Sequence, residues 1–202
     1  MNEFINSWKN SEIFQIQLNL NLAEISNKRN YPEHWHEFIN LVETFNLSSI
    51  LDVGCGCGTY YNLSKIHFPT IEYTGIDYAE EAIDLAKKTW KYDKFFVKNY
   101  LDLTKEYIQQ FDLIHLGALL DILPNGDEAL KSIINLEPKS ILIGRMRLTE
   151  NKSNYSTYKA YYKIDTYSFI HNRQCFLDLC AENNYSVYKE GNSFFLKREL
   201  GA

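Results

Sequence analysis

The sequence predicts an α/β fold built on a mostly parallel sheet, and three features support this. Short apolar runs alternate with helical stretches between residues 49 and 144, a pattern typical of a parallel sheet with helices on both faces. Three glycines follow the first apolar run at alternate positions, where the backbone can turn tightly before a helix. Two strand-like segments flank a turn at residues 190–192, which predicts a terminal antiparallel hairpin.

The elements can be assigned in order along the chain. Residues 1–48 are expected to be mostly helical with a break at Tyr31 and Pro32, because proline suits the first turn of a helix. Strands are predicted near residues 49–53, 72–76, 94–97, 111–115 and 140–144. Helices are predicted near residues 59–67, 79–90, 103–109 and 126–135. An insert at residues 145–164 has no clear period, and a helix near 167–183 then precedes hairpin strands at 185–188 and 193–196.

Composition and charge exclude several classes of function. The 202 residues suit a single domain, with a net charge of -5 that argues against a broad electrostatic grip on nucleic acid. No apolar run reaches the ~18 residues of a membrane span, and the N-terminus lacks the pattern of a signal peptide. We therefore expect a cytoplasmic protein with neither nucleic acid nor membrane as a partner.

The four cysteines do not have the spacing of a metal site, and no metal is expected. Cys55 and Cys57 alternate within the glycine loop, while Cys175 and Cys180 lie on a helical stretch without a histidine pattern beside them. Small, buried, reduced side chains are the expected state.

The glycine loop predicts a nucleotide-like cofactor. Asp52 lies inside the first strand, and Gly54, Gly56 and Gly58 follow it. Glycines let the backbone approach a ligand closely, and the next helix offers unpaired N–H groups. A plain turn is the alternative. The spacing departs from the Gly-x-Gly-x-x-Gly dinucleotide fingerprint, and no Gly-Lys-Ser/Thr follows, which excludes a P-loop.

An acidic residue ends the second predicted strand. Asp77 lies 19 residues after Gly58 and precedes Tyr78, and an acidic residue at this distance can accept hydrogen bonds from ribose hydroxyls. The alternative is that Asp77 caps the helix that follows. We favour the ribose.

These segments resemble a known family. Asp-Val-Gly-Cys-Gly-x-Gly at residues 52–58 and Gly-Ile-Asp-Tyr at 75–78 resemble the first two motifs of class I S-adenosylmethionine (SAM) dependent methyltransferases. Segments 94–99 and 111–117 resemble the third and fourth. The resemblance implies SAM as cofactor and a Rossmann-like fold, with a seven-stranded sheet, a C-terminal hairpin and an N-terminal helical lid. The lid would be residues 1–48, and the SAM-binding core residues 49–202.

The resemblance also implies positions for the cofactor. Asp77 would hold the ribose, Asn99 would accept a hydrogen bond from the adenine amino group where the family commonly has aspartate, and Tyr100 would pack beside the adenine. The full set of cofactor-binding residues implied in this way is Asp52, Gly54, Gly56, Gly58, Asp77, Tyr78, Asn99, Tyr100 and His115.

Methyl transfer to a hydroxyl requires a held acceptor and removal of a proton. His115, at the tip of the fourth strand, is a candidate for a catalytic base, a cofactor contact or a structural residue. Relatives often carry a histidine where this chain has Ile122, so the neighbouring Asp121 could serve as the base in its place. The alternative is that Asp121 caps the next helix. His171, at the expected start of the late helix, is a further candidate base.

Candidate acceptor-binding residues follow the fifth strand. Arg145 and Arg147 could hold a carboxylate, a phosphate or sugar oxygens, or could form surface salt bridges. Tyr162 belongs to a cluster of tyrosines in the insert, whose rings suit sugars or planar molecules but also serve to fix a loop.

A narrower resemblance concerns the acceptor. Segments 142–149 and 171–176 are similar to a family of methyltransferase-like proteins from bacterial surface-polysaccharide gene clusters, which implies a sugar or glycan precursor. The predicted function is thus SAM-dependent O-methylation of a small hydroxylated molecule. N-methylation of an amine and SAM or S-adenosylhomocysteine (SAH) binding without turnover are alternatives. The glycine spacing and the hairpin disfavour an NAD-dependent oxidoreductase.

Overall fold

A seven-stranded sheet forms the centre of the computed structural model, which describes residues 6–27 and 31–199. The strands are β1 (Ser49–Val53), β2 (Glu72–Asp77), β3 (Phe95–Val97), β4 (Leu113–Leu116), β5 (Ser140–Ile143), β6 (Leu148–Thr149), β7 (Asn154–Ala160), β8 (Ile164–Asn172), β9 (Tyr185–Glu190) and β10 (Ser193–Arg198). The helices are α1 (Ser11–Ile25), α2 (Glu33–Thr44), α3 (Thr59–His67), α4 (Glu80–Trp90), α5 (Lys105–Ile108), α6 (Gly126–Ile134) and α7 (Arg173–Glu182).

The order of strands in the large sheet is β3-β2-β1-β4-β5-β10-β9. The first five are mutually parallel, and β10 runs antiparallel to both β5 and β9. The order reverses between β1 and β4, so a crevice forms outside the carboxyl ends of these two strands, where open α/β sheets bind ligands. The predicted fold class is confirmed.

The two faces of the sheet are covered by different helices, as alternate residues of each strand show. On β5, Ile141 and Ile143 join the cluster that contains α6 and α7, whereas Leu142 joins the cluster that contains α2 and α4. On β10, Phe195 likewise faces α2. Continuous apolar strands are therefore buried on both sides, as expected of a parallel sheet between helical layers.

A second sheet, of order β6-β8-β7, lies where the sequence predicted an irregular insert and the first turns of a helix. The insert continues into a hairpin of β7 and β8, and residues 167–172 are strand, so the prediction that the late helix starts near 167 was wrong. Residues 154–159 of β7 are all exposed, and this strand therefore lacks the apolar alternation by which strands are recognised. The helix α7 begins at Arg173 because the Asn172 side chain accepts from the Cys175 N–H at 2.7 Å.

Two N-terminal helices flank the core, with the break where Tyr31 and Pro32 predicted it. On α1, Phe14 and Leu18 pack with Cys57 of the glycine loop, which brings this helix to the carboxyl edge of the sheet. Residues 1–5 and 28–30 of the predicted lid, and residues 200–202 of the predicted core, lie outside the described residues.

Two further observations concern expectations from composition. Among residues 6–27 and 31–199, no helix combines the length and apolar character that crossing a membrane requires. All four cysteines are free, and Cys55, Cys57 and Cys180 are buried as expected. Cys175 is exposed, contrary to expectation, because it lies on the solvent side of the first turn of α7.

Candidate active site

The glycine loop connects β1 to α3 in a conformation that glycine favours. Gly54, Gly56 and Gly58 have φ values of +76°, +51° and +76°, in the left-handed region where other residues are strained. The N–H groups of Gly54 and Cys55 both donate to the carbonyl of Ile76, at 2.8 and 3.0 Å. The loop is therefore attached to the end of β2 as well as to β1.

The glycines of this loop meet different surroundings. A Cβ on Gly58 would lie 2.7 Å from Cζ of Phe95 and 2.9 Å from Nε1 of Trp90, whereas a Cβ on Gly56 would meet only Oε1 of Gln17, at 3.4 Å. Gly58 thus allows the loop to pack on the sheet and α4, while Gly56 leaves space above the sheet.

Asp77, at the end of β2, joins three elements. Its Oδ2 accepts from the Gly56 N–H and its Oδ1 from the Ala79 N–H, both at 2.9 Å, and the residue is 8% exposed. Burial raises the pKa of Asp77, against the opposing effect of these N–H groups. Each carboxylate oxygen has two lone pairs, so supporting the start of α4 leaves Asp77 able to accept from a ligand.

Four adjoining cavities open along the carboxyl edge of the sheet. The ring cavity, of about 80 Å³, has apolar walls and is lined by residues that include Val53, Asp77, Tyr78, Lys98, Asn99, Tyr100, Leu119, Ile122, Leu123 and Pro124. The central cavity, of about 340 Å³, is lined by residues that include Trp8, Gln17, Gly54, Gly56, Asp77, Leu119, Arg145, Tyr158 and Tyr161.

The other two cavities extend from the central cavity under the N-terminal helices. The helix cavity, of about 280 Å³, is lined by residues that include Gln17, Asn21, Glu24, His34, Asp52, Gly56, Thr59, Gly117 and Arg145. The polar cavity, of about 590 Å³, is lined by Glu33, His34, Glu37, Asp121, Arg145, Arg147, Tyr158, Ser168 and Asn192.

The predicted cofactor residues lie mostly around the first three cavities. Tyr78, Asn99 and Tyr100 line the ring cavity, where the Asn99 side chain also accepts from the Leu101 N–H at 3.0 Å. Gly58 and His115 are the exceptions. The close contacts of Gly58 are with Phe95 and Trp90, and His115 lines none of the four cavities.

Asp52 and His115 form a buried pair beneath the cavities. The Nδ1 atom of His115 lies 2.8 Å from Oδ1 of Asp52, and both side chains are 1% exposed. The hydroxyl of Tyr73 donates to the other oxygen of Asp52, and the His115 ring lies 4.2 Å from that of Tyr60 and 5.0 Å from that of Phe38. Asp52 reaches the helix cavity, whereas His115 lies behind it.

The polar cavity brings together three predicted residues. Nη2 of Arg145 lies 3.4 Å from Oδ2 of Asp121, and Arg147 donates to the Phe169 carbonyl at 3.0 Å and to the Ser168 hydroxyl. Tyr162 does not join them, because it is 95% exposed at the turn between β7 and β8.

Asp121 is a desolvated carboxylate at the wall of this cavity. It lies in a short 3₁₀ turn, Leu120–Ile122, while the N-cap position of α6 is Asn125, so the structure gives Asp121 no helix-capping role. Burial raises its pKa, against the opposing charge of Arg145. Its Oδ1 atom has no hydrogen-bond partner in the described part of the chain.

His171 lies apart from the cavities. It belongs to β8 and is buried, with Nδ1 2.6 Å from Oδ1 of Asp127 and its ring 4.7 Å from that of Phe169. The expectation that it opens the late helix was wrong, since the strand continues to Asn172.

Sequence reasoning missed several residues that line the cavities. These are Trp8, Gln17, Asn21, His34 and Glu37. Tyr158 and Tyr161, which also line the cavities, belong to the predicted tyrosine cluster of the insert. His34 and Glu37 are three residues apart on α2 and so share a face, a spacing that was visible in the sequence. Trp8 gave no such signal, because its position depends on a hydrogen bond from Nε1 to the Thr166 hydroxyl at 2.9 Å.

The fold and the cleft define the class of protein. A sheet of this order, with a terminal hairpin and a glycine loop beside an acidic residue at the switch point, is that of a Rossmann-like methyltransferase. A profile of a methyltransferase-domain family matches residues 45–192. The chain belongs to this family, and it is a SAM-dependent class I methyltransferase. A comparison with curated protein sequences found no significant match.

Solved structures with the same fold are distant in sequence. The sugar N-methyltransferase KedS8 from a Streptoalloteichus species is similar over 89% of this chain and 92% of its own, with a TM-score of 0.59 and 11% identity. DesVI from Streptomyces venezuelae is similar over 82% of this chain and 91% of its own, with a TM-score of 0.57 and 12% identity. Magnesium protoporphyrin IX methyltransferase from Synechocystis, solved with bound SAM, is similar over 82% of this chain and 78% of its own, with a TM-score of 0.56 and 14% identity.

Proposed function

We propose that this chain transfers the methyl group of SAM to a hydroxyl of a small polar molecule, such as a sugar or glycan precursor, bound in the polar cavity. The observation that supports this most is continuity. Arg145 lines the central, helix and polar cavities, so a cofactor in the first two would meet an acceptor in the third. A volume of about 590 Å³ suits a small molecule.

The residues around the first three cavities fit the parts of SAM. The apolar walls of the ring cavity, with Tyr100 and Asn99 at its border, suit adenine. Asp77 has lone pairs free for the ribose hydroxyls beside the ring and central cavities. Gln17 and Asn21 offer amide groups to the amino-acid end in the helix cavity. The open space above Gly56 allows close approach.

The protein's own contribution is to position and desolvate. Bound SAM supplies an electrophilic methyl group. Arg145 and Arg147 present guanidinium donors to acceptor oxygens. The unpartnered Oδ1 of Asp121 accepts a hydrogen bond from the acceptor and fixes its orientation. Trp8, on the wall of the central cavity, helps to exclude water.

This assignment gives His115 and His171 structural roles. His115 is enclosed by Asp52, Tyr60 and Phe38 behind the helix cavity, where it orients Asp52. His171 is paired with Asp127 outside the cavities. Tyr162 is 95% exposed and does not belong to the acceptor site. Tyr158 forms the aromatic wall of this site instead.

N-methylation of an amine is the second candidate. Three carboxylates, Glu33, Glu37 and Asp121, line the polar cavity with two arginines, and a buried carboxylate with an unpartnered oxygen is a good partner for an ammonium group. The structural similarity to the sugar N-methyltransferase KedS8 agrees with this alternative.

Calorimetric titration with SAM, SAH and NAD tests the cofactor first. We expect micromolar binding of SAM and SAH and none of NAD. Transfer of label from methyl-tritiated SAM is then measured with matched probes, glucose 1-phosphate for a hydroxyl and glucosamine 1-phosphate for an amine. Methylation of both through oxygen supports the first candidate, and methylation of glucosamine 1-phosphate alone, through nitrogen, supports the second. SAH binding with no methylation of either probe or of a wider sugar panel would indicate a binding protein without turnover.

A further inference from the structure

His34 lies where the cofactor and acceptor cavities meet. It is the second residue of α2, and its side chain lines both the helix cavity and the polar cavity. Among the described residues, only Arg145 also lines both of these cavities. Tyr158 lines the polar cavity and the central cavity, but burial raises the pKa of its hydroxyl, which therefore keeps its proton. The ring of His34 is within 6.1 Å of the Trp35 ring and forms no hydrogen bond to another described residue.

We infer that His34 is a catalytic residue that accepts the proton of the acceptor group during methyl transfer, an inference that rests on the function proposed above. The methyl group must pass where the two cavities join, so the base must line both. Arg145 cannot take a proton, because its guanidinium stays charged. Asp121 lines only the polar cavity and is ion-paired with Arg145, so it orients the acceptor instead.

The surroundings of His34 keep its ring neutral. Burial, together with the charges of Arg145 and His115, lowers the pKa of His34 to about 4. The other charged groups on the walls of its two cavities are Glu24, Asp52, Asp121 and Arg147 from other elements, and Glu33 and Glu37 from α2 itself. Above about pH 5, therefore, one ring nitrogen carries a lone pair that can accept a proton.

The proton and the electrons balance in this step. A lone pair of the acceptor oxygen forms the new bond to the methyl carbon, and the carbon–sulfur bond breaks with its electron pair remaining on sulfur. The hydroxyl proton passes to the free ring nitrogen of His34, and the resulting imidazolium returns it to solvent through the open side of the polar cavity. With an amine acceptor, the same nitrogen accepts the proton released from the methylated product.

The test compares His34→Gln with His36→Gln. His36 is a matched control because it lies on the same helix but is exposed and lines neither cavity. With the best hydroxyl probe, we expect His34→Gln to lower kcat by about 100-fold or more, the usual contribution of a general base. The affinity for SAH should stay within about threefold, and His36→Gln should match the wild type in both.

A second readout needs no turnover. In protein labelled with carbon-13 at histidine Cε1, the signal that disappears in His34→Gln belongs to His34. This signal should show a neutral ring from pH 8 to pH 5 without ligand, and it should shift when the acceptor probe is added to the SAH complex. The signal of His36 should not shift with the probe.

The outcomes separate the inference from the proposed function. Wild-type protein that binds no SAH or methylates no probe overturns the proposed function and the inference with it. A wild type that turns over, together with a His34→Gln variant within threefold of its kcat, overturns the inference alone. A His34 signal that titrates near pH 6.5 and ignores the acceptor probe also overturns it.

Discussion

Replacement of Gly58 by alanine separates the packing function of the glycine loop from the ligand-binding function proposed for it. Gly56 provides the matched control, because both glycines have positive φ values, +76° and +51°. They differ in what a new Cβ would contact. On Gly58 it would lie 2.7 Å from Phe95 and 2.9 Å from Trp90, whereas on Gly56 it would meet only the flexible end of Gln17 at 3.4 Å.

The expected loss of stability has two contributions, backbone strain and steric overpacking. A left-handed conformation costs an alanine about 1–2 kcal/mol in either position. Overpacking against Phe95 and Trp90 adds about 1–3 kcal/mol at Gly58 alone. Each kcal/mol shifts the Tm of a domain of this size by roughly 2–4 °C. Gly58→Ala should therefore melt roughly 2–12 °C below Gly56→Ala.

The affinity for SAH should be affected in the opposite order, more by Gly56→Ala than by Gly58→Ala. Gly56 lines the central and helix cavities, so its alanine variant should lose about tenfold or more in SAH affinity, the effect of about 1.4 kcal/mol. Folded Gly58→Ala should bind SAH nearly as the wild type does. Thermal melting and calorimetry of the two variants measure both effects. Equal Tm values for the two variants, or weaker SAH binding by Gly58→Ala than by Gly56→Ala, would refute the reasoning.

Three further predictions concern buried carboxylates and their partners. Asp77→Ala should weaken SAH binding about tenfold or more, because it removes hydrogen bonds in a buried site; unchanged affinity in calorimetry would exclude the ribose role. Asp121→Asn should lower turnover yet resist urea better than the wild type at pH 7. Burial raises the pKa of Asp121, so its charged form destabilises the fold at pH 7, and this advantage of the variant should shrink towards pH 4 as the carboxyl is protonated. An advantage independent of pH would contradict this. His115→Ala should cost about 3–5 kcal/mol in urea unfolding, because Asp52 loses a buried partner; full stability with lost turnover would instead identify His115 as a base.

The proposed cofactor side of the cleft was predictable because the residues that form it are close to recognisable strand ends in the sequence. Buried parallel strands are continuous apolar runs, and β1 and β2 end at the glycine loop and Asp77, as their composition indicated. The hydrogen bond between Asp77 and Gly56 links residues 21 positions apart, but both belong to recognisable strand ends. Parallel strands bring such ends to the same edge.

The proposed acceptor side was less predictable because its residues come from distant segments. The second sheet was missed, since the exposed β7 is stabilised by pairing with β8 and not by apolar alternation. Tyr158 faces the polar cavity while Tyr162 points into solvent, although both are tyrosines of the same insert. The difference arises because Tyr158 lies on β7, whereas Tyr162 lies in the turn between β7 and β8.

The sequence by itself therefore determined the fold class, the order of the core elements and the position of the glycine loop. These follow from hydrophobic periodicity and from backbone conformations that glycine allows, both of which are local properties. Only the tertiary structure decided which titratable groups meet. It buried His115 against Asp52, removed His171 from the cavities, and brought His34 on α2 to the junction lined by Arg145. Such meetings depend on how helices and sheets pack across long sequence separations, for which a single sequence carries no local signal.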